Sequence, residues 1–384
     1  MFRHLYIHLP YCVVKCPYCD FFSVGDDHRA DEFADLFTCE FDMMVAEHGP
    51  FSDVETVFLG GGTPTHLNER EIIRIGEIIR DRIRLVDGYE WTVEANPESA
   101  SCEKLRLFRE MGANRISLGV QSFGADDLRA LGRAHSAEDA ERAIDAIHRC
   151  GFTLWSLDLM FGIAGQSVRS WGESVAHALA LDPPHISAYA LMIEPGSRYA
   201  ADSTPTRFQA DDDTTVDQYT VLMDTLGEAG YEHYEVSNYA KSGQRCRHNE
   251  AYWLREPYIG LGPSAHSYSI DINGAEKRWW NVRSIDGYLD RLGRGESVVA
   301  GSEELGPHEI AEERIMLGLR RSEGIRWDSI PADRVESVWR AIEPLIERRL
   351  MLSDDIGFRI ARDGWAVADM LIRRAVDAVD TDSP

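Results

Sequence analysis

Tyr6-Ile7-His8-Leu9-Pro10-Tyr11-Cys12-Val13-Val14-Lys15-Cys16-Pro17-Tyr18-Cys19-Asp20-Phe21 is the stretch on which the reading of this chain turns. Its three cysteines fall within eight residues at the spacing C-x3-C-x2-C. Three thiolates that close together can hold three irons of a cubane cluster and leave the fourth iron open to a small ligand. A four-cysteine site leaves no such opening. Two alternatives stand beside this reading. Three cysteines with a distant fourth ligand, such as a histidine, also suit zinc. Free cysteines also serve as small buried hydrophobes, although three on one Pro-containing loop argue against core filling.

Working outward, the apolar run over 5–8 reads as a strand that feeds straight into the cysteine loop. Five more strands are expected over 54–59, 90–95, 115–120, 153–160 and 186–191. They alternate with helices over 30–48, 69–83, 101–111, 136–149, 167–181 and 214–229. In the first of these, Phe33, Leu36, Phe37, Phe41 and Met44 recur at helical spacing. Six alternations predict βαβ units, right-handed crossovers and a parallel sheet. They fall short of an eight-fold barrel, so the expected fold is α/β: an open, partial (β/α)6 barrel over 1–230. Its chemistry belongs at the C-terminal strand ends. The cysteines, Gly60-Gly61-Gly62-Thr63-Pro64-Thr65, Glu94, Gln121 and Asp158 all lie at or just after such ends.

From 231 to 301 the chain turns aromatic, with Trp253, Tyr258, Tyr268, Trp279 and Trp280, and shows no clear period. We expect a bridging segment that covers the open side of the barrel. Helices over 307–319, 335–348 and 367–376, with a hairpin over 349–363, predict a small, mainly helical C-terminal domain over 302–384 of winged-helix type. An acidic tail over 380–384 ends the chain.

Composition sets limits. With 384 residues the chain has room for a large domain and a small one, and its 44% apolar content is that of a globular protein. No apolar run approaches the ~18 residues that span a bilayer, so membrane contact is expected at the periphery only. The cysteine loop begins at Cys12, where a cleaved leader would lie, which predicts a cytoplasmic protein. Seven cysteines, an odd number, suit a reducing compartment, and Cys39, Cys102 and Cys150 read as structural. A formal charge of −25 repels phosphate and excludes general nucleic-acid binding.

Several residues near the strand ends have the chemistry of a binding site. The Gly60-Gly61-Gly62 run, lacking Cβ atoms, lets backbone come within hydrogen-bonding reach of a ligand; a tight turn is the alternative. Glu94 can take ribose hydroxyls or an ammonium, and Gln121 can read a ligand edge. Arg133 can meet a carboxylate bidentately, and Asp158 follows an apolar strand into the same region. Singly, each suits a cap or a surface pair. On one rim they suit a zwitterionic nucleoside.

The cysteine spacing resembles the signature of the radical S-adenosylmethionine (SAM) enzymes, in which the open iron chelates the methionine end of SAM. The cysteine loop, Gly60 to Thr65, Glu94-Ala95-Asn96-Pro97, Gly119-Val120-Gln121-Ser122-Phe123, Gly132-Arg133 and Asp158-Leu159-Met160-Phe161-Gly162 together resemble the oxygen-independent coproporphyrinogen III oxidase family of radical SAM proteins. The likeness runs over nearly the whole chain. It implies that Cys12, Cys16 and Cys19 bind a [4Fe-4S] cluster, reduced by an electron donor. It also implies that Tyr6, Tyr18, Gly61, Gly62, Thr63, Glu94, Gln121, Arg133 and Asp158 line the cofactor region.

Three departures point away from the oxidase itself. Phe21 stands where the oxidase has a further cysteine, and only eleven residues precede Cys12 in place of a long arm. Arg247-His248-Asn249-Glu250-Ala251-Tyr252-Trp253 contains H-N-x-x-Y-W, similar to the motif of the haem chaperone (HemW) branch. Ala164 also replaces a usual proline near the SAM loop. The chaperone resemblance implies haem binding and haem transfer to acceptor proteins such as respiratory enzymes, with His248 as the haem ligand and Cys246 as its rival. A hydrogen-bonded structural histidine is the alternative for His248. Oxidative decarboxylation of coproporphyrinogen III is the alternative for the whole chain.

Overall fold

The computed structural model describes residues 2–25 and 29–379, so the expected acidic tail over 380–384 lies outside the described residues. The first half is strand–helix alternation. In chain order come β1 (His4–Leu9), α1 (Ala30–His48), β2 (Phe51–Gly61), α2 (Glu69–Arg82), β3 (Ile83–Ala95), α3 (Cys102–Met111) and β4 (Arg115–Gln121). Then follow α4 (Ala125–Ala130), α5 (Ala137–Arg149), β5 (Leu154–Phe161), α6 (Val168–Ala180), β6 (His185–Ala190) and α7 (Asp212–Glu228). All six expected strands are present and pair in parallel in the order β1 to β6. Side-chain caps fix the helix starts: Asn68, Ser136 and Ser167 each close a capping box on α2, α5 and α6. Two local features differ from the sequence expectation. β3 begins seven residues early, because Ile83 and Leu85 continue extended along β2. The short α4 is too brief to show a helical period.

The span 231–301 is more ordered than a bridging segment. It holds β7 (Glu232–Glu235), β8 (Asn238–Ala240), α8 (Arg247–Trp253), β9 (Tyr258–Leu261), β10 (His266–Ile270), β11 (Glu276–Asn281), α9 (Ile285–Gly293) and the start of β12 (Val299–Leu305). These strands lengthen the sheet at both ends, giving the order β12-β11-β10-β9-β1-β2-β3-β4-β5-β6-β8-β7. β9 pairs in parallel with β1, while β10, β11 and β12 continue antiparallel. The C-terminal part comprises α10 (Pro307–Gly318), β13 (Ile325–Arg326), α11 (Val335–Glu347), β14 (Met351–Ser353), β15 (Gly357–Ile360) and α12 (Ala368–Asp377). β14 and β15 form the expected hairpin, and β13 adds a third antiparallel strand. Among the described residues no helix is long and apolar enough to cross a membrane.

Period-two alternation gives this sheet two unlike faces. On one, Leu5, Val57, Trp91, Ile116, Trp155 and Ile186 are buried and meet the helices. On the other, register places His4 beside Thr56, Tyr6 beside Phe58, and Glu94 beside Ser117. The same face carries Gly119 beside Asp158, and Met160 beside Tyr189. A parallel sheet with apolar coverage on both sides has no use for so many polar side chains. The polar face is where ligands belong.

Candidate cofactor site

The polar face opens at the strand ends into a cavity of about 380 Å³. Its wall brings together Cys12, Cys16, Tyr18, Cys19, Gly61, Gly62, Thr63, Glu94, Gln121, Arg133 and Asp158. Eleven of the thirteen site residues expected from sequence therefore share one cavity. The other two, Tyr6 and His248, line a neighbouring cavity of about 440 Å³. Phe21, Gly61 and Glu94 belong to the walls of both.

The cysteine loop is held by its own turn, in which Cys19 N–H donates to Cys16 O at 3.2 Å, and by Cys12 N–H to Val24 O at 3.0 Å. Donors are aimed at its sulfurs. Arg133 Nη1 donates to Cys16 Sγ at 3.3 Å, and Thr63 Oγ1 to Cys12 Sγ at 3.6 Å. Such bonds stabilise sulfur that carries negative charge. Burial pushes the Cys12 thiol up and the Cys19 thiol up to about 11, so a metal must displace their protons. Among the described residues no three His, Cys, Asp or Glu side chains gather around a single-ion position.

The glycine run is squeezed by the protein itself. A Cβ on Gly60 would lie 2.7 Å from Glu94 Oε2, one on Gly61 2.2 Å from His8 Nδ1, and one on Gly62 2.5 Å from Leu9 O. Gly61 also has φ +93°. The run thus brings β2 against the cysteine loop: Gly62 N–H donates to Leu9 O at 2.8 Å and Thr63 N–H to Tyr11 O at 2.7 Å.

Glu94 is half-buried on this wall and accepts Gly61 N–H at 3.1 Å. Burial lifts its carboxyl to about 8, with the Asp158 charge adding to the rise. Asp158 is lifted to about 6 by burial, against Ser187 and Ser117 donors and the Arg115 and Arg133 guanidinia. Ser117 Oγ lies 3.0 Å from Asp158 Oδ2. Arg133 Nη2 donates to Asn96 Oδ1 at 2.6 Å and to Gly119 O at 2.9 Å, while its buried Nε has no partner among the described residues. Gln121 sits at the β4 bulge with φ 66°, a left-handed conformation that turns its amide into the cavity. The sequence reading passed over Asn96, which bridges Arg133 and Thr63 (Nδ2 to Oγ1, 2.7 Å). Its position before Pro97 at a strand end was the available signal.

His248 lies on α8. That helix has no cap of its own; Glu90 from β3 supplies one, accepting Arg247 N–H at 3.2 Å and His248 N–H at 3.1 Å. Glu90 is in turn 3.8 Å from the buried Arg115. His248 is 1% exposed, and its ring stacks on Phe58 at 5.1 Å. Its nitrogens end a chain of hydrogen bonds: Glu256 to His4 Nε2 (2.6 Å), His4 Nδ1 to Thr56 Oγ1 (2.9 Å), Thr56 Oγ1 to His248 Nδ1 (2.6 Å), and His248 Nε2 to Tyr252 (3.0 Å). In the His4 tautomer that donates Nε2–H to the carboxylate and leaves Nδ1 bare, Thr56 donates to His4 and accepts from His248 Nδ1–H. The lone pair of His248 then rests on Nε2, where Tyr252 O–H donates to it. Cys246 instead turns to Glu90, its Sγ donating to Oε1 at 3.5 Å.

Residues 6–178 match the model of the radical SAM superfamily. The heme chaperone HemW of Bacillus subtilis is 35% identical over 84% of this chain and 84% of its own length. The heme chaperone HemW of Escherichia coli is 37% identical over 74% of this chain and 75% of its own. The chain belongs to the HemW family. The fold agrees: the coproporphyrinogen III oxidase of Escherichia coli, a radical SAM enzyme, superposes with a TM-score of 0.82 at 21% identity, covering 98% of this chain and 89% of that one.

Radical SAM membership implies a [4Fe-4S] cluster and SAM, and the HemW chain's own residues fit both. Three thiols on one wall, two already accepting hydrogen bonds, are a donor set for iron. Two facing carboxylates of raised pKa call for a cation, and the unpartnered Arg133 Nε calls for an anion. SAM carries both kinds of charge.

Proposed function

We propose that this protein is a haem chaperone, one that binds haem and hands it to acceptor proteins, respiratory enzymes among them, on a radical SAM scaffold. Family membership over most of the chain, with relatives named for that activity, is the observation that carries the reading. In it, Cys12, Cys16 and Cys19 ligate the cluster, which when reduced by an electron donor supplies an electron to the SAM sulfonium. Tyr18, Gly61, Gly62, Thr63, Glu94, Gln121, Arg133 and Asp158 form the SAM pocket. Glu94 and Asp158 take its positive charge, and Arg133 its carboxylate.

Haem occupies the neighbouring cavity, between Tyr6, Phe58 and the H-N-x-x-Y-W helix. His248 meets the iron through Nε2 once the Tyr252 hydroxyl swings aside, while Thr56 holds Nδ1–H and so orients the ring. The division of labour we propose is a barrel over 1–230, the haem wall over 231–301 and a C-terminal unit over 302–384. A cytoplasmic setting keeps the cluster thiols reduced.

Haemin titration of the purified protein, followed by mixing with an apo-acceptor, tests this. A saturable Soret shift and transfer of the pigment are expected. Substituting His248→Ala should weaken uptake by about ten- to a hundredfold. Unchanged affinity in that variant removes His248 from the site. Anaerobic conversion of coproporphyrinogen III to protoporphyrinogen IX by the reconstituted protein, with no haem uptake, overturns the chaperone reading in favour of the oxidase.

A further inference from the structure

The haem-facing cavity does not end at α8. Tyr258, Ser264, His266 and Arg283 line it and also line an adjoining cavity of about 670 Å³ along β10, β11 and β12. Together they make one groove, and each part lies within the ~300–1,000 Å³ of small-molecule sites. His266 stands at the junction.

Four features of His266 bear on what it does. It is exposed, unlike His248, and its ring nitrogens make no hydrogen bond among the described residues. Its ring stacks on Trp280 across the β10–β11 pair, at 6.0 Å between centroids and 27° between planes. The Trp280 indole in turn lies flat on Gly301, where a Cβ would come within 2.6 Å of it. Two guanidinia flank the pair. Arg278 and Arg283 line the same part of the groove. Arg278 is paired with Glu303 and Glu313. The half-exposed Arg283 donates from Nη2 to Asp20 O at 2.6 Å and to Asp20 Oδ1 at 3.1 Å, which leaves its Nε and Nη1 without a bond among the described residues.

The position is also fixed. The turn before His266 is anchored by the buried Glu40, which accepts Gly262 N–H at 2.8 Å, Asn281 Nδ2–H at 2.6 Å and Tyr288 O–H at 2.5 Å. Gly262, at φ +96°, passes so close to β1 that a Cβ would lie 2.3 Å from His8 O. A rigidly mounted imidazole with an open lone pair, a flat apolar surface beside it and one guanidinium with free donors matches a flat iron macrocycle that carries propionates. No internal hydrogen bond must break for iron to reach it, whereas His248 must first part from Tyr252.

We infer that His266 is a second haem-iron ligand, the one haem meets on arrival, with Trp280 against the macrocycle and Arg283 on a propionate. This rests on the haem reading above. Haem taken up at the open end of the groove then lies next to the wall that carries His248.

Haemin titration of the cluster-loaded wild type, His266→Ala, His248→Ala and the double variant, read by absorbance, electron paramagnetic resonance and tryptophan quenching, tests the assignment. His248→Ala should keep an imidazole-ligated haem spectrum and quench Trp280. His266→Ala should lose about ten- to a hundredfold in affinity and lose most of the quenching. The double variant should lose the imidazole signature, and free imidazole should restore it, which a merely structural role would not produce. No Soret change in wild type overturns the haem reading and this assignment together. A His266→Ala protein with wild-type spectrum and affinity, alongside a His248→Ala protein that has lost both, overturns the assignment alone.

Discussion

Glu94 is protonated in the folded chain at a pH where an exposed glutamate is ionised, because burial and Asp158 lift it from 4.5 to about 8. The sign of the consequence follows from linkage. A raised folded pKa gives a stabilising contribution that is full below about 4.5 and lost as pH climbs to about 8. Glu40 and Glu235, both lifted to about 7 by burial, act in the same direction. The buried His8, His233 and His248, lowered to about 4, about 4 and about 3, act oppositely, an effect that fades as pH climbs past the unfolded value of 6.5. From about pH 7 to 8 the carboxylates outweigh the histidines, and the melting temperature of the ligand-free protein should fall. Glu94→Gln should flatten that fall. A cationic ligand reverses the balance: SAM affinity, by calorimetry, should rise between pH 6 and 8 with proton release, and Glu94→Gln should lose that rise and bind more weakly at pH 8. At this scale much was legible. His4-Tyr6-His8, Thr56-Phe58-Gly60, Glu90-Thr92-Glu94 and Ser117-Gly119-Gln121 alternate with apolar residues in the sequence itself. What the sequence hid was which polar residues bind and which brace, as the tie between Asn96, Thr63 and Arg133 shows.

The helix that carries the H-N-x-x-Y-W motif is the element whose placement depends most on one distant residue. α8 has seven residues, too few to be stable alone. Glu90, more than 150 residues earlier, caps it and lies near the buried Arg115. Replacing Glu90 with Ala frees the α8 amides and leaves Arg115 buried without its carboxylate. The expected loss is about 3–5 kcal/mol, read by chemical denaturation, with faster hydrogen exchange at Arg247 and His248. Unchanged exchange there would contradict the capping role. Long helices and parallel strands declared themselves in the sequence because each spans several periods. β7, β8 and β9 have three or four residues each, β10 puts His266 and Tyr268 on one face and serines on the other, and β11 has a tryptophan and charge on each face. No period emerges from strands so short and mixed, so the sequence showed their aromatic content but not their pairing.

In the whole molecule, sequence order and spatial order diverge at β1. Its neighbours are β2 and β9, so the start of the chain is completed by a strand more than 250 residues later. Glu40 reinforces that junction from α1. The labour proposed for 1–230 and 231–301 is therefore divided without the folding being divided. A fragment ending at 230 exposes the β1 edge and the apolar flank of α1, where Phe33 stacks on Tyr288 at 5.8 Å. Such a fragment should aggregate or melt without cooperativity, whereas the full chain unfolds with its sheet as one unit; a soluble, cooperatively folded fragment would refute this.

Glu94, Gly61 and Phe21 form a party wall between two chambers. A tenant that shifts that partition changes the grip on whatever occupies the room next door. Thermodynamic reciprocity requires the same factor in the reverse direction. If filling the sulfonium side tightens the hold on the pigment tenfold, the pigment tightens the sulfonium tenfold, and cleaving or releasing either one loosens the other. If Glu94 moves when one chamber fills, the affinity of the other changes by that same factor.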